Sequence, residues 1–153
     1  MKLYKYMSAD FGLEVLKTRK IKVSTILDAN DPNEWRPVCP DLKNGVDDYL
    51  KVPRFRAQFR YLWAYKYGFI SLSSRWDNIV MWGHYADKCR GVVVEFTCKE
   101  EVPLQKIDYT DIRYVLDEAE LCSTDTDKIE CLVARKAKAW EYEKEYRLLL
   151  LRQ

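Results

Sequence analysis

The 153-residue chain has one histidine, His84, and its five cysteines (Cys39, Cys89, Cys98, Cys122 and Cys131) form no C-x-x-C pair. Structural zinc takes its ligands from clustered cysteine and histidine, so no metal site is expected. The cysteine number is odd, and "MKLYKYMSAD" is too polar and aromatic for a secretory signal. Reduced thiols in a cytoplasm fit that pattern. No apolar run approaches the roughly 20 residues of a membrane-crossing helix, so no membrane partner is expected. Both G-x-G-x-x-G and G-x-x-x-x-G-K-[ST] are missing, which removes the usual phosphate cradles. "NDPNE" (30–34) has acidic residues in a loop but lacks the glycine of a calcium loop. An excess of one charge is missing too: the net charge of +2 neither demands nor excludes a nucleic-acid partner.

What is present is an apolar and aromatic chain. Hydrophobic residues make up 48% and aromatics 14%, with 11 Tyr and 5 Trp, so a buried core is affordable and disorder is not expected. The length suits one domain over 1–153. "KLYKYM" (2–7) alternates, with Leu3, Lys5 and Met7 on one side and Tyr4 and Tyr6 on the other, and predicts an opening strand. Ser8 or Asp10 can cap a helix in "FGLEVLKTRK", with Phe11, Val15 and Leu16 as its apolar stripe. "IKVSTI" (21–26) reads as extended, and residues 27–37 as a structured loop. A helix follows Pro53 with Phe55, Phe59, Leu62 and Trp63 on one face, and Gly68 stops it. "FISLS" (69–73) predicts a strand with Phe69, Ser71 and Ser73 on one face. Asp77 is a candidate cap for a helix to about Lys88, striped by Trp82, Tyr85, Ala86 and Cys89. "VVVEF" (92–96) and "LQKIDYTD" (104–111) read as strands, residues 127–143 as a helix, and "KEYRLLLL" (144–151) as a closing strand. Short strands alternating with helices point to α+β, not a doubly wound sheet.

Three constellations carry chemistry. His84 lies off the Trp82–Tyr85 stripe and has no nucleophile near it in sequence, so a hydrogen-bonded structural histidine stands against a direct catalytic role. In "WEYEKEYRL" (140–148), period two places Glu143, Glu145 and Arg147 on one face at the rim of a sheet. A carboxylate there can orient a sugar hydroxyl or stabilise a developing cation; a solvated, self-cancelling face is the alternative. The helix at 54–66 interleaves Arg54, Arg56, Arg60 and Lys66 with aromatics, which reads as a basic solvent face more than as a nucleic-acid surface.

The ordered series "LYKY" (3–6), "NDPNE" (30–34), "ISLS" (70–73), "MWGHYAD" (81–87), "GVVVEF" (91–96) and "WEYEKEYRL" (140–148) resembles a widespread bacterial and phage-associated domain family of unknown function. The order of elements, with an S-x-S strand and a late E-x-E strand, is more distantly similar to the ADP-ribosyltransferases. That resemblance implies a split, mixed β-sheet flanked by helices and NAD as substrate. It implies cofactor contacts from Tyr6 on the first strand, from Ser71 or Ser73, and from Tyr85 as a pocket wall. It also implies that Glu145, or Glu143, is the catalytic acid that stabilises an oxocarbenium-like transition state. Tyr6, Tyr85 and Trp82 could stack a planar ring, His84 would orient its neighbours, and Asn30 and Asp31 in the "NDPNE" loop would rim the cleft. The implied protein is an NAD-dependent ADP-ribosyltransferase acting as a toxin or phage-conflict effector on a protein or nucleic-acid acceptor. The alternatives are a non-catalytic nucleotide- or protein-binding module of the same fold, and a nucleic-acid-binding or nucleic-acid-cleaving effector.

Overall fold

Alternation in "KLYKYM" becomes strand β1, Lys2–Met7. It runs beside β3, Val92–Thr97, in antiparallel register from Lys2 opposite Thr97 to Met7 opposite Val92. The computed structural model describes residues 1–31, 60–61, 63–112 and 132–152. Two further strands, β2 (Tyr67–Ser73) and β7 (Glu145–Leu151), pair over their whole length, and β4 (Leu104–Lys106) flanks β7. The result is a five-stranded sheet in the order β3-β1-β2-β7-β4, antiparallel at every pairing. The architecture is α+β. A mixed main sheet is not what forms: the parallel pairing is confined to a separate two-stranded ribbon of β5 (Asp108–Tyr109) and β6 (Arg135–Lys136). The reason is that β1, β2 and β7 meet their neighbours head to tail.

Both faces of the sheet are covered. One carries Leu3, Ile70 and Leu72, with Phe96, Leu104, Leu148 and Leu150 packed around them. On the other, Phe69 and Tyr67 join Ile26, Ala64 and Val133 in a second cluster. Helix α1, Ala9–Thr18, is capped by Ser8, whose hydroxyl accepts from the Phe11 amide. Its expected Phe11–Leu16 stripe points outward, with both residues about 60% exposed (59% and 62%). The inward residue is Gly12, because the helix lies so near β3 that a Cβ there would sit 2.3 Å from Val92 Cγ2. Close approach to the sheet decides which side faces in, and the larger side chains are turned out.

Helix α2 runs over Ile79–Tyr85, shorter than expected, and its cap is Asn78, not Asp77. The Asn78 side chain accepts from the Val80 and Met81 amides, while Asp77 pairs with Arg75. The helix stops where Asp87, Lys88 and Cys89 take left-handed φ values of 46°, 54° and 66°, a reversal that carries the chain into β3. Residues 60, 61 and 63–66 are helical, and Tyr67 and Gly68 already belong to β2, so Gly68 is a strand residue and not a helix stop. The expected helix positions 53–59 and 62 lie outside the described residues. The helix expected over 127–143 is replaced. Residues 132–133 are helical, then come β6 and a 3₁₀ helix, Lys138–Glu143, while 127–131 lie outside the described residues. Backbone bonds from Asp108 N to Ala134 O (2.6 Å) and from Thr110 N to Lys136 O (3.0 Å) hold this segment extended. Tertiary pairing overrides the helical pattern of apolar residues there. No helix among the described residues is long and apolar enough to cross a membrane.

Two glycines close in sequence test this geometry. At Gly91 a Cβ would lie 2.2 Å from the Met7 carbonyl oxygen and 2.8 Å from Ala86 backbone atoms, whereas at Gly83, inside α2, it would meet nothing within 4 Å among the described residues. Backbone cannot step aside as a side-chain tip can. Gly91→Ala is expected to destabilise by about 1–3 kcal/mol and Gly83→Ala to stabilise by about 0.5–1 kcal/mol, read as opposite shifts of the urea midpoint at unchanged slope.

Candidate functional site

The register of β2 and β7 sets Ser71 opposite Arg147 and Ser73 opposite Glu145. Directly opposed residues share a face, so all four project to one side. Tyr4 is opposite Ser73, which brings Tyr4, and by alternation Tyr6, to the same side. That Tyr4–Ser73 pair is where β1 and β2 meet; further along, the strands part. Ser71's carbonyl, which continued pairing would have engaged with β1, accepts from Lys5 Nζ at 2.9 Å. Over the opening sits a cleft of about 210 Å³. Tyr6, Ser71, Ser73, Tyr85, Glu143 and Glu145 all line it, from five separate elements. The segment from Ser24 to Asn30 forms the opposite rim, tied to the sheet by reciprocal Ser24–Phe69 backbone bonds of 2.8 and 2.9 Å.

The floor of the cleft is a buried ionic network. Lys136 Nζ donates to Glu143 Oε2 at 2.6 Å, to Glu145 Oε2 at 3.4 Å and to Asn30 Oδ1 at 3.3 Å. Arg147 grips Glu145 with two bonds, Nε to Oε1 at 2.7 Å and Nη2 to Oε2 at 3.0 Å, and gives its Nη1 to the Val133 carbonyl. Its guanidinium also stacks 4.9 Å above the Phe69 ring. Tyr85 donates its hydroxyl to Glu143 Oε1 and accepts from Asn30 Nδ2. Ser73 donates to the Glu143 carbonyl at 2.6 Å, and the Glu145 amide donates to the Tyr109 hydroxyl. Glu143, Glu145, Lys136 and Arg147 are all at most 5% exposed.

Burial by itself would push the Glu145 carboxyl up. The charges of Arg147 and Lys136, with hydrogen bonds from Arg147 and Ser71, outweigh that and hold it down at about 2. The phenol of Tyr85 is pushed up, first by burial and then by the Glu143 charge, so it stays a neutral donor. Lys5 is shifted down: burial dominates and Arg147 and Lys22 add to it, while Glu145 and Glu143 oppose it.

Most of the expected residues converge here. Tyr6, Ser71, Ser73, Tyr85, Glu143, Glu145 and Asn30 share the cleft, and Arg147 pairs with a carboxylate as its place in the strand suggested. Glu143 gets there from the 3₁₀ helix, not from the strand. Tyr6 turns its hydroxyl away, to the Arg75 carbonyl, and offers its ring, edge-on to Trp82 at 5.6 Å. Asp31 is buried just behind the rim, where it accepts from the Ala137 amide. His84 is outside: it is exposed and packs against the rings of Tyr85, Trp140 and Tyr142. The reason is that α2 presents Met81 and Tyr85 inward, and His84 falls on the far side of the turn. Of the basic helix, Arg60 gives a hydrogen bond to the Ile26 carbonyl; Arg54 and Arg56 lie outside the described residues. The two lysines of the cleft, Lys5 and Lys136, carried no sequence signal. Lys136 was hidden within the expected helix, and Lys5 was assigned by alternation to the other face.

The lowered Glu145 pKa makes stability depend on pH. A carboxylate acid weaker in the unfolded chain, near 4.5, than in the fold stabilises the fold above that pH, and the contribution is lost as pH falls toward 2. Urea unfolding from pH 6 down to pH 2 is expected to show a loss on the order of 3 kcal/mol from this group. Glu145→Gln should be less stable at pH 6 and lack that part of the slope; a wild-type slope in the variant would show that Glu145 is not the group responsible.

Comparison of the chain with family models, with curated proteins and with solved structures finds no match, so the chemistry of the cleft is what carries the functional reading.

Proposed function

We propose that the cleft binds the ribose–nicotinamide half of NAD and cleaves its glycosidic bond, as an ADP-ribosyltransferase-type reaction requires. The observation that carries the reading is the meeting of two carboxylates, two serines and two tyrosine rings at the opening between β1 and β2. A volume of about 210 Å³ is below the roughly 300–1,000 Å³ of a pocket for a whole drug-sized ligand. It suits a pentose or a pyridine ring, with the rest of the dinucleotide lying outside.

The hydrogen-bond count separates the roles of the two carboxylates. An ionised carboxylate offers about four acceptor positions. Glu145 is occupied by both Arg147 nitrogens and by Lys136. Glu143 receives Tyr85 and Lys136 and has room for a ligand. In this reading Glu143 is the catalytic carboxylate: it accepts from a ribose hydroxyl and faces the positive charge that builds on the ribose as nicotinamide departs. Glu145 is a positioning residue that fixes Lys136, and through it the Glu143 carboxylate. Tyr85, held neutral, fixes the other oxygen. A preorganised group of this kind is worth about 3–4 kcal/mol at the transition state.

A second reading, a nucleotide-binding module without turnover, draws on the fact that each carboxylate already has a buried cation beside it. Calorimetry with NAD, followed by measurement of nicotinamide release, separates the two. The transferase reading expects binding with release, and a loss of release of at least about 100-fold in Glu143→Gln with NAD affinity kept within a few-fold. Because removing one partner of a buried pair costs about 3–5 kcal/mol, Tyr85→Phe serves as the gentler companion and should lower release while leaving the ion pairs in place. Binding without release establishes the module. Release that survives Glu143→Gln and vanishes in Glu145→Gln would invert the assignment.

A further inference from the structure

The cations of the cleft are not equally occupied. Lys136 has three N–H bonds and three acceptors, Glu143, Glu145 and Asn30. Arg147 is committed to Glu145 and to the Val133 carbonyl. Lys5 also lines the cleft, and its ammonium makes one hydrogen bond, to the Ser71 carbonyl, with no carboxylate in ion-pair range among the described residues. Two of its N–H bonds therefore have no acceptor among the described residues. The charges point the same way. The inner wall sets Lys5, Lys136 and Arg147 against Glu143 and Glu145, which leaves one positive charge over. The remaining acid of the lining, Asp28, is at the rim and is already taken up by the Thr25 amide and hydroxyl and by Lys22 at 3.6 Å.

A half-buried cation with spare donors at the edge of a cavity is destabilising until something negative arrives. We infer that Lys5 is the anchor of an oxyanion subsite, so that the ligand of this cleft carries a phosphate or carboxylate group seated where β1 and β2 part. The inference rests on the cleft being the ligand site proposed above, and it names the ligand class: a sugar-sized polyol bearing one anionic group. The polyol hydroxyls meet Glu143, Ser71 and Ser73, and the anion meets Lys5. Seating an anion there favours the charged amine, so binding is accompanied by proton uptake wherever the empty site holds Lys5 partly neutral. The charged groups facing Lys5 from neighbouring strands and loops are Glu145, Glu143, Arg147 and Lys22. Affinity therefore falls as pH rises on the alkaline side. A phosphate ester, whose second pKa is about 6, is fully ionised on the alkaline side and adds nothing to that trend there.

The test uses ribose, ribose 5-phosphate, ribonate and inorganic phosphate as probes, with the intact chain, by calorimetry in buffers of different ionisation enthalpy. Ribose 5-phosphate or ribonate is expected to bind at least about tenfold tighter than ribose, the scale of one charge-assisted hydrogen bond, with affinity declining toward alkaline pH. Whichever of the two anions binds better identifies phosphate or carboxylate as the native group, and weak binding of inorganic phosphate places the anion alone. Lys5→Met should erase the preference, leave ribose affinity within a few-fold, and raise the thermal midpoint, because the uncompensated cation is gone; Lys5→Gln, which keeps the Ser71 bond, should erase the preference equally. Equal affinity for ribose and its phosphate, a preference that survives both substitutions, or no binding of any probe overturns the inference. Failure of nicotinamide release with ribose 5-phosphate binding intact overturns the transferase chemistry alone.

Discussion

Lys136 is held between Glu143 and Glu145, with Arg147 behind, in a space from which water is almost entirely excluded. Taking four charges out of water costs several kcal/mol per ion unless the partners are close and every donor is used. That requirement constrains the surrounding backbone more tightly than apolar packing does. It asks that β7 enter the sheet with Glu145 and Arg147 on one face and that residue 143 return over that face. It also asks that residue 136 arrive from a different direction. The 3₁₀ helix over Lys138–Glu143 and the two-residue strand β6 are the backbone solution. Such networks add little net stability compared with an apolar core, but they tolerate few alternative arrangements, and so this one specifies the geometry of the cleft.

The cleft itself exists because β1 leaves β2. Antiparallel strands normally continue pairing until a turn or a bulge ends them. Here Lys5 takes the place of the missing backbone partner by donating to Ser71, and the Ser24–Asn30 segment covers the opposite side. A side chain that alternation sends to the far face thereby reaches through the gap to the near one. The opening is thus both the source of the cavity and the means by which a cation from the other face enters it. The apolar clusters on the two sides of the sheet stay separate and give it rigid walls.

The strands β1, β2, β3 and β7 were legible in the sequence, because period two and β-branched or aromatic content act locally and need no partner to be recognised. The face shared by Glu145 and Arg147 was legible for the same reason, as was the side of β2 that carries Ser71 and Ser73; Glu143 joins them from the 3₁₀ helix, which alternation does not describe. Helix limits were less so. Asn78 displaced Asp77 as cap because Asp77 found Arg75, and Phe11 and Leu16 turned outward because Gly12 let α1 sit against β3. These outcomes depend on which neighbour arrives, and spacing does not encode that.

Sequence by itself determined an α+β chain, an antiparallel-competent set of strands and a carboxylate–arginine pair, Glu145 and Arg147, on one face at the start of the last one. The tertiary structure decided the rest. It brought Tyr6, Ser71, Ser73, Tyr85 and Asn30 to that pair, and it moved His84 to the outside of α2. It also converted an apparently helical stretch into the strand and 3₁₀ turn that deliver Lys136 and Glu143, and it admitted Lys5 through a parted sheet. The physical reason is the difference in range. Alternation and capping are settled within a few residues, whereas the partners of the buried charges are settled only when segments more than a hundred residues apart, such as those of Asn30 and Lys136, come together.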